Sequence, residues 1–143
     1  QPNIAFFGKK DYQQLAVIRQ MTIDLNFPVE IIGMPIVRES DGLAMSSRNA
    51  YLSTHERAEA LCLKFAIDAV QESFRGGIHT AQLLKDLALQ VVKKSSTATV
   101  DYIVLCDNIT LEPVDIVNRN TLLAVAVKIG ETRLIDNAIL GDE

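Results

Sequence analysis

Apolar and polar positions follow two different rhythms along this chain. Near the amino end, Ile4-Ala5-Phe6-Phe7 is an unbroken apolar run, the mark of a short buried strand, and Gly8 reads as the turn that follows it. Leu15, Ile18, Thr22 and Leu25 then recur at helical spacing, which predicts a helix over residues 11–26. Asp11 and Gln14 are spaced as a capping box at its start, and Pro28 is its expected stop. A second apolar run covers residues 29–34. Strand, helix, strand in this order is a βαβ unit, which requires parallel pairing through a right-handed crossover. Two parallel strands cannot cover both faces of their sheet, so further strands are expected in sequence preceding residue 1.

From Pro35 the pattern changes. Ser53-Thr54-His55-Glu56 is a capping box that opens a helix with Leu63, Ile67, Val70 and Phe74 on one stripe, and Gly76-Gly77 should stop it. Thr80 is the expected cap of a second amphipathic helix carrying Leu84, Leu87, Ala88, Val91 and Val92. After a polar break at residues 93–96, strands are expected over residues 100–106 and 122–129. Gly130-Glu131 then reads as a hairpin turn into a strand over residues 132–135. Helices followed by antiparallel strands indicate a small α+β domain, here with two helices. The expected fold is therefore an α/β remnant, one βαβ unit, followed by that domain. No internal repeat or low-complexity segment interrupts it.

Composition narrows the function. The chain has 143 residues, 48% of them hydrophobic and 22% charged, as in globular rather than disordered proteins. Fourteen Lys and Arg against 18 Asp and Glu give a formal charge of -4, which argues against nucleic acid as a partner, since phosphate contact needs a basic face. Any anion site must be local. The longest apolar run, residues 122–127, is far shorter than the roughly 20 residues of a membrane helix. Cys62 and Cys106 sit among apolar neighbours without metal-ligand spacing and read as small buried residues of a cytoplasmic protein, with a disulfide between them as the less favoured alternative. The opening Gln1-Pro2-Asn3 has no Met and runs straight into a strand, as expected of a cut through a longer chain.

Two segments could carry chemistry. In "FFGKKDYQQL", residues 6–15, a glycine, two lysines and a helix start follow the carboxyl end of a strand, where ligands bind in open α/β sheets and where helix N-termini favour anions. The plainer reading is a tight turn with solvated lysines. In "GLAMSSRN", residues 42–49, a surface turn at Asp41-Gly42 leads to two hydroxyls and a guanidinium. That combination suits phosphate oxygens, and its plainer reading is a polar connector. Two anion-suited segments fit a nucleotide better than either does alone. His55 and His79 lack partners at metal-ligand spacing and read as surface or capping residues. Tyr12, Tyr51 and Tyr102 read as packing residues with a wet hydroxyl.

"FFGKKDYQQLAVIRQM", "GMPIVRESDGLAMSSRNAYLS" and the terminal "RLIDN" closely resemble the pantoate:beta-alanine ligase family, in order and over essentially the whole chain, but only over that family's carboxyl half. The resemblance implies residues 1–36 as the end of a doubly wound, nucleotidyltransferase-like nucleotide-binding domain and residues 37–143 as an α+β domain that closes on ATP. It implies ATP and Mg as cofactors, and pantoate and beta-alanine as substrates joined through a pantoyl adenylate with release of AMP and pyrophosphate. By the same resemblance Gly8, Lys9, Lys10 and Asp11 contact the nucleotide, with Lys10 at the phosphates and Asp11 near the ribose. Gln14 hydrogen-bonds pantoate and Val37 meets adenine through its backbone. Met45, Ser46, Ser47 and Arg48 form a mobile phosphate-gripping loop. Lys10, Ser46, Ser47 and Arg48 are the catalytic candidates, and no protein metal ligand is assigned. Lys9 stands where the family commonly has glutamate, and the family's His-x-x-His-type loop would lie upstream of Gln1. Partners expected are these small molecules, the missing amino-terminal half and, through exposed strand edges, a second copy of the chain. The alternatives are a non-catalytic interaction module and another adenylate-forming ligase.

Overall fold

The computed structural model describes residues 2–142; Gln1 and Glu143, the ends of the two expected domains, lie outside the described residues. The chain divides into two compact units, Gln1–Val37 and Arg38–Glu143.

The first unit is a parallel pair of strands, β1 (Ile4–Gly8) and β2 (Glu30–Met34), joined through helix α1 (Tyr12–Asp24). Ile4 pairs with Glu30 and Gly8 with Met34, so both strands end together. Tyr12, Leu15 and Thr22 are the buried face of α1, whereas Leu25, expected on that face, is exposed. Leu15 packs so closely on β2 that a Cβ at Gly33 would lie 2.8 Å from its Cδ2. Two local expectations are corrected here. Asp11 makes no capping hydrogen bond: a 3-10 turn, Lys9–Asp11, runs directly into α1, and at φ -90 and ψ 65 Asp11 lacks the extended backbone of a capping residue. The helix is ended by Asn26 rather than by Pro28. Asn26 takes φ 50 while Phe27 N donates to Thr22 O at 3.0 Å and Asn26 N to Ile23 O at 3.1 Å, the bond pattern of a Schellman motif.

The second unit contains α2 (Thr54–Ala60), α3 (Cys62–Arg75), α4 (Ala81–Val92) and a meander of β3 (Ala98–Asp107), β4 (Thr121–Ile129) and β5 (Thr132–Ile139). It has three helices where two were expected, because the segment opened by Ser53 divides at Leu61. Glu59 pins the end of α2 to the 95–97 turn: its carboxylate accepts from Ser96 N and Oγ at 2.9 Å, from Thr97 N at 2.7 Å and from Thr97 Oγ1, and its carbonyl accepts from Ser95 Oγ at 3.3 Å. The chain bends after that anchor. The Ser53–Glu56 capping box forms as read, and α3 ends in a second Schellman pattern with Gly77 at φ +96. Thr80 stands at the start of α4 but makes no side-chain cap; Ala81 N donates instead to Asp115 O at 2.9 Å.

In β4, alternate residues Leu123, Val125, Val127 and Ile129 enter one core with Leu63, Ile67 and Val70 of α3 and Leu84, Ala88 and Val92 of α4. At about 25 cal/mol per Å² of apolar area this shared core is the main stabilising contribution. The turn at Gly130-Glu131 is a two-residue hairpin with positive φ at Gly130, where a Cβ would fall on the Glu56 carboxylate. Strand β5 runs on past the expected residue 135, because Asp136 and Asn137 stay in the ladder opposite Val125 and Ala124. Cys62 and Cys106 are buried and free, not bonded to each other. Among the described residues no helix is long and apolar enough to cross a membrane.

Candidate functional site

The candidate residues fall into two groups, one in each unit. In the first, Gly8 closes β1 with ordinary extended backbone, φ -69 and ψ 134, and a Cβ built there would meet nothing within 4 Å. Neither conformation nor packing within the chain therefore requires glycine at that position. Lys9 and Lys10 follow, half-buried, in the 3-10 turn; Asp11 and Gln14, three residues apart, are both exposed at the start of α1. Gln14 projects away from the buried positions Tyr12 and Leu15. Val37, at the end of this unit, is exposed.

The second group is built from a turn. Arg38 and Ala44 form an isolated antiparallel bridge, closed by Glu39 N to Leu43 O at 2.8 Å and Gly42 N to Glu39 O at 2.9 Å. Gly42 takes φ +93, which a side chain would strain. Asp41 Oδ1 accepts from Leu43 N at 3.1 Å, so the predicted Asp41-Gly42 turn is present. Residues 47–51 form a 3-10 turn (Ser47–Tyr51) capped by Ser46, whose Oγ accepts from Arg48 N at 3.2 Å. Met45, Ser47 and Arg48 are exposed, and Ser46 is half-buried. Arg48 Nη1 donates to the Arg133 carbonyl at 3.2 Å.

A set of polar residues that sequence reasoning did not single out holds this turn. Arg38 forks onto Asp136, Nη1 to Oδ2 at 2.7 Å and Nη2 to Oδ1 at 3.0 Å, and also donates to Gly42 O at 3.1 Å. Arg57 of α2 grips Glu39 at 2.6 Å and Asp41 at 2.8 Å. Asn49, the buried residue of the 3-10 turn, donates from Nδ2 to Glu39 Oε1 at 2.6 Å and to Ala44 O at 3.1 Å. The electrostatics follow. Hydrogen bonds from Asn49 and Arg57 hold the Glu39 carboxyl below its ordinary range, the Leu43 N–H and Arg57 do the same for Asp41, and the two carboxylates raise Arg57. A usable signal was Asp136, a charge within an apolar strand, which implies a buried partner. Among the described residues no group of three or more His, Cys, Asp or Glu side chains could hold a metal ion.

An exposed guanidinium beside two serines, on a turn braced by three separate polar anchors, can engage an anion. A strand end opening through glycine and two lysines into a helix can do the same. Comparison with known proteins identifies the setting. The family model described as pantoate-beta-alanine ligase matches residues 1–139. The pantothenate synthetases of Trichlorobacter lovleyi and Geotalea daltonii are 60% and 56% identical over 142 residues, each match covering 99% of this chain and 50% of the relative. The crystal structure of pantothenate synthetase from Thermus thermophilus superposes with a TM-score of 0.90 at 39% identity, covering 98% of this chain and 50% of that one. A pantoate-beta-alanine ligase from Francisella tularensis, solved with beta-gamma ATP and beta-alanine, gives a TM-score of 0.60 at 26% identity, covering 99% of this chain and 45% of that one. The chain spans about half the length of the curated relatives it matches. On the match over residues 1–139, the chain belongs to the pantoate-beta-alanine ligase family.

Proposed function

We propose that this chain is the ATP-gripping half of an enzyme that condenses pantoate with beta-alanine through a pantoyl adenylate, releasing AMP and pyrophosphate. The observation that carries the reading is the family match running through both anion-suited segments, with Gly8, Lys9 and Lys10 in the first and Gly42, Ser46, Ser47 and Arg48 in the second. The relative solved with beta-gamma ATP and beta-alanine supports the same substrates. In this reading Gly8, Lys9, Lys10, Asp11, Val37, Met45, Ser46, Ser47 and Arg48 serve ATP, and Gln14 serves pantoate. The βαβ unit belongs to a doubly wound, nucleotidyltransferase-like sheet, and residues 37–143 are the domain that closes on the nucleotide.

The chemistry asks little of protein acids and bases. Pantoate's carboxylate is already a nucleophile for the α-phosphorus, so these residues would align the reactants and neutralise charge that builds on phosphate oxygens. A cation about 4 Å from such an oxygen gains roughly 4 kcal/mol at an effective dielectric of 20, before desolvation is counted. Lys10 and Arg48 have that task, with Ser46 and Ser47 donating hydroxyls. Mg would travel on the phosphates. Gly8 fits the reading as well, since open space beside an unstrained glycine lets a ligand approach the backbone.

Phe6, Val17, Ile23 and Phe27 of the first unit are each at least half exposed. We assign that apolar surface to the family's other half in the complete enzyme, and to self-association when the chain is alone. The free, buried cysteines suit a reducing compartment, and the cytoplasm is inferred as the location. In the complete polypeptide, Arg48→Ala or Lys10→Ala should lower pyrophosphate release in a single turnover by roughly a hundredfold, the scale of losing one transition-state donor. A loss below about threefold in both would overturn the assignment.

A further inference from the structure

We propose that Asn49 is a positioning residue of the Ser46–Arg48 turn, fixing the direction in which the Arg48 guanidinium leaves the backbone. The inference rests on the nucleotide reading of that turn. Asn49 is 7% exposed and follows Arg48 directly. Its backbone N donates to Ser46 O at 3.1 Å, closing the turn from which both serines and the arginine project. Its side chain reaches in the other direction, to Glu39 Oε1 at 2.6 Å and Ala44 O at 3.1 Å, and Glu39 is itself held by Arg57 at 2.6 Å. One residue thus connects the turn, the 38–44 hairpin and helix α2.

The other half of the amide shows that this is not mere space filling. Among the described residues Asn49 Oδ1 is buried and has no hydrogen-bond partner. The amide cannot be turned round to satisfy it, because its oxygen would then face a carboxylate and a carbonyl. Leucine has the same branched shape and would leave no unmet acceptor, and a buried acceptor left unmade is unfavourable. The chain tolerates that cost where the donor half supplies a directional hold on the carboxylate arranged by Arg57. Asn49 touches no reacting atom in this scheme and acts through Ser46 and Arg48.

The test uses the complete polypeptide, with single-turnover pyrophosphate release for the first step and the beta-alanine KM for the second. Asn49→Asp sets a carboxylate against Glu39. It should lower the first-step rate roughly ten- to a hundredfold while leaving the beta-alanine KM unchanged, and Glu39→Gln added to it should recover about tenfold by restoring a donor to the pair. Asn49→Ala, which introduces no charge, should show the same split and no rescue by Glu39→Gln. If either single variant keeps its rate within about threefold of the parent, or if rate and beta-alanine KM change together without rescue, the proposal fails. Arg48→Ala is run alongside. Damage there with silent Asn49 variants overturns only this inference, and silence in both overturns the nucleotide reading beneath it.

Discussion

Breaking the Arg38–Asp136 pair from either side should give unequal losses. Asp136 lies in β5 with its side chain 2% exposed, and its three bonds come from the Arg38 fork and from Asn137 N at 2.8 Å. Arg38→Ala leaves that carboxylate buried with one donor, and uncompensated buried charge of this kind costs about 3–5 kcal/mol. Asp136→Ala leaves instead a guanidinium whose side chain is 24% exposed and which keeps its bond to Gly42 O, so water repairs part of the loss. Its cost should be nearer 2 kcal/mol, the scale of a hydrogen bond to a charged group. Urea unfolding followed by far-ultraviolet circular dichroism reads both. With a slope of about 2 kcal/mol per molar, Arg38→Ala should lower the midpoint by roughly 2 M and Asp136→Ala by about 1 M. The double variant should lose less than the sum, since the second change removes a charge already stranded. A shift under about 0.5 M for Arg38→Ala, or a larger loss from Asp136→Ala, would refute the reasoning.

Acid should destabilise the chain in a defined window. The Glu59 carboxyl is held down to about 2 by the Thr97 hydroxyl and N–H and by Ser96, and Asp107, Glu39 and Asp41 are lowered as well. A depressed folded value means stability present above the ordinary carboxylate range near 4 and lost as pH falls towards 2, so a urea midpoint that rises on acidification contradicts it. Gly8→Ala should leave the midpoint unchanged or slightly raised, because its φ of -69 and open surroundings accept a side chain. Gly33→Ala should lower the unfolding free energy by roughly 1–3 kcal/mol through the clash with Leu15. In the complete enzyme Gly8→Ala should still raise the KM for ATP, and an unchanged KM would remove Gly8 from the nucleotide-binding set.

What the sequence made legible was local. The Ser53–Glu56 box, the Gly76-Gly77 stop and the Gly130 hairpin each depend on residues within a few positions of one another, and all three form. The parallel pairing of residues 4–8 with 30–34 followed from topology alone. The misses came where a distant partner decided. Leu61 breaks a helix because Glu59 is tied to the 95–97 turn, and β5 keeps its polar residues because Arg38, 98 positions away, neutralises Asp136. The Asp41-Gly42 turn could be read, but its brace could not: Glu39, Asn49 and Arg57 meet across separations of 10 and 18 residues that no periodicity records.

The brace also decides which positive charge is left for a ligand. Arg38, Arg57 and Arg133 are each matched to carboxylates: Asp136, the pair Glu39 and Asp41, and Asp101. Arg48 sits among them on an exposed turn, and its hydrogen bond goes to the neutral carbonyl of Arg133. The two acids that precede it in the same segment, Glu39 and Asp41, are already engaged by Arg57. A neutral acceptor of this kind holds a donor by about 1 kcal/mol net, and a charged acceptor about twice as strongly. A phosphate oxygen presented to Arg48 would therefore exchange a weak bond for a stronger one without first breaking an ion pair. Without Arg57, Asp41 would be left with its bond from Leu43 N and Glu39 with its bond from Asn49. Arg57 therefore acts on the proposed site at a distance from it, by keeping the local acids occupied while Asn49 keeps the backbone aimed.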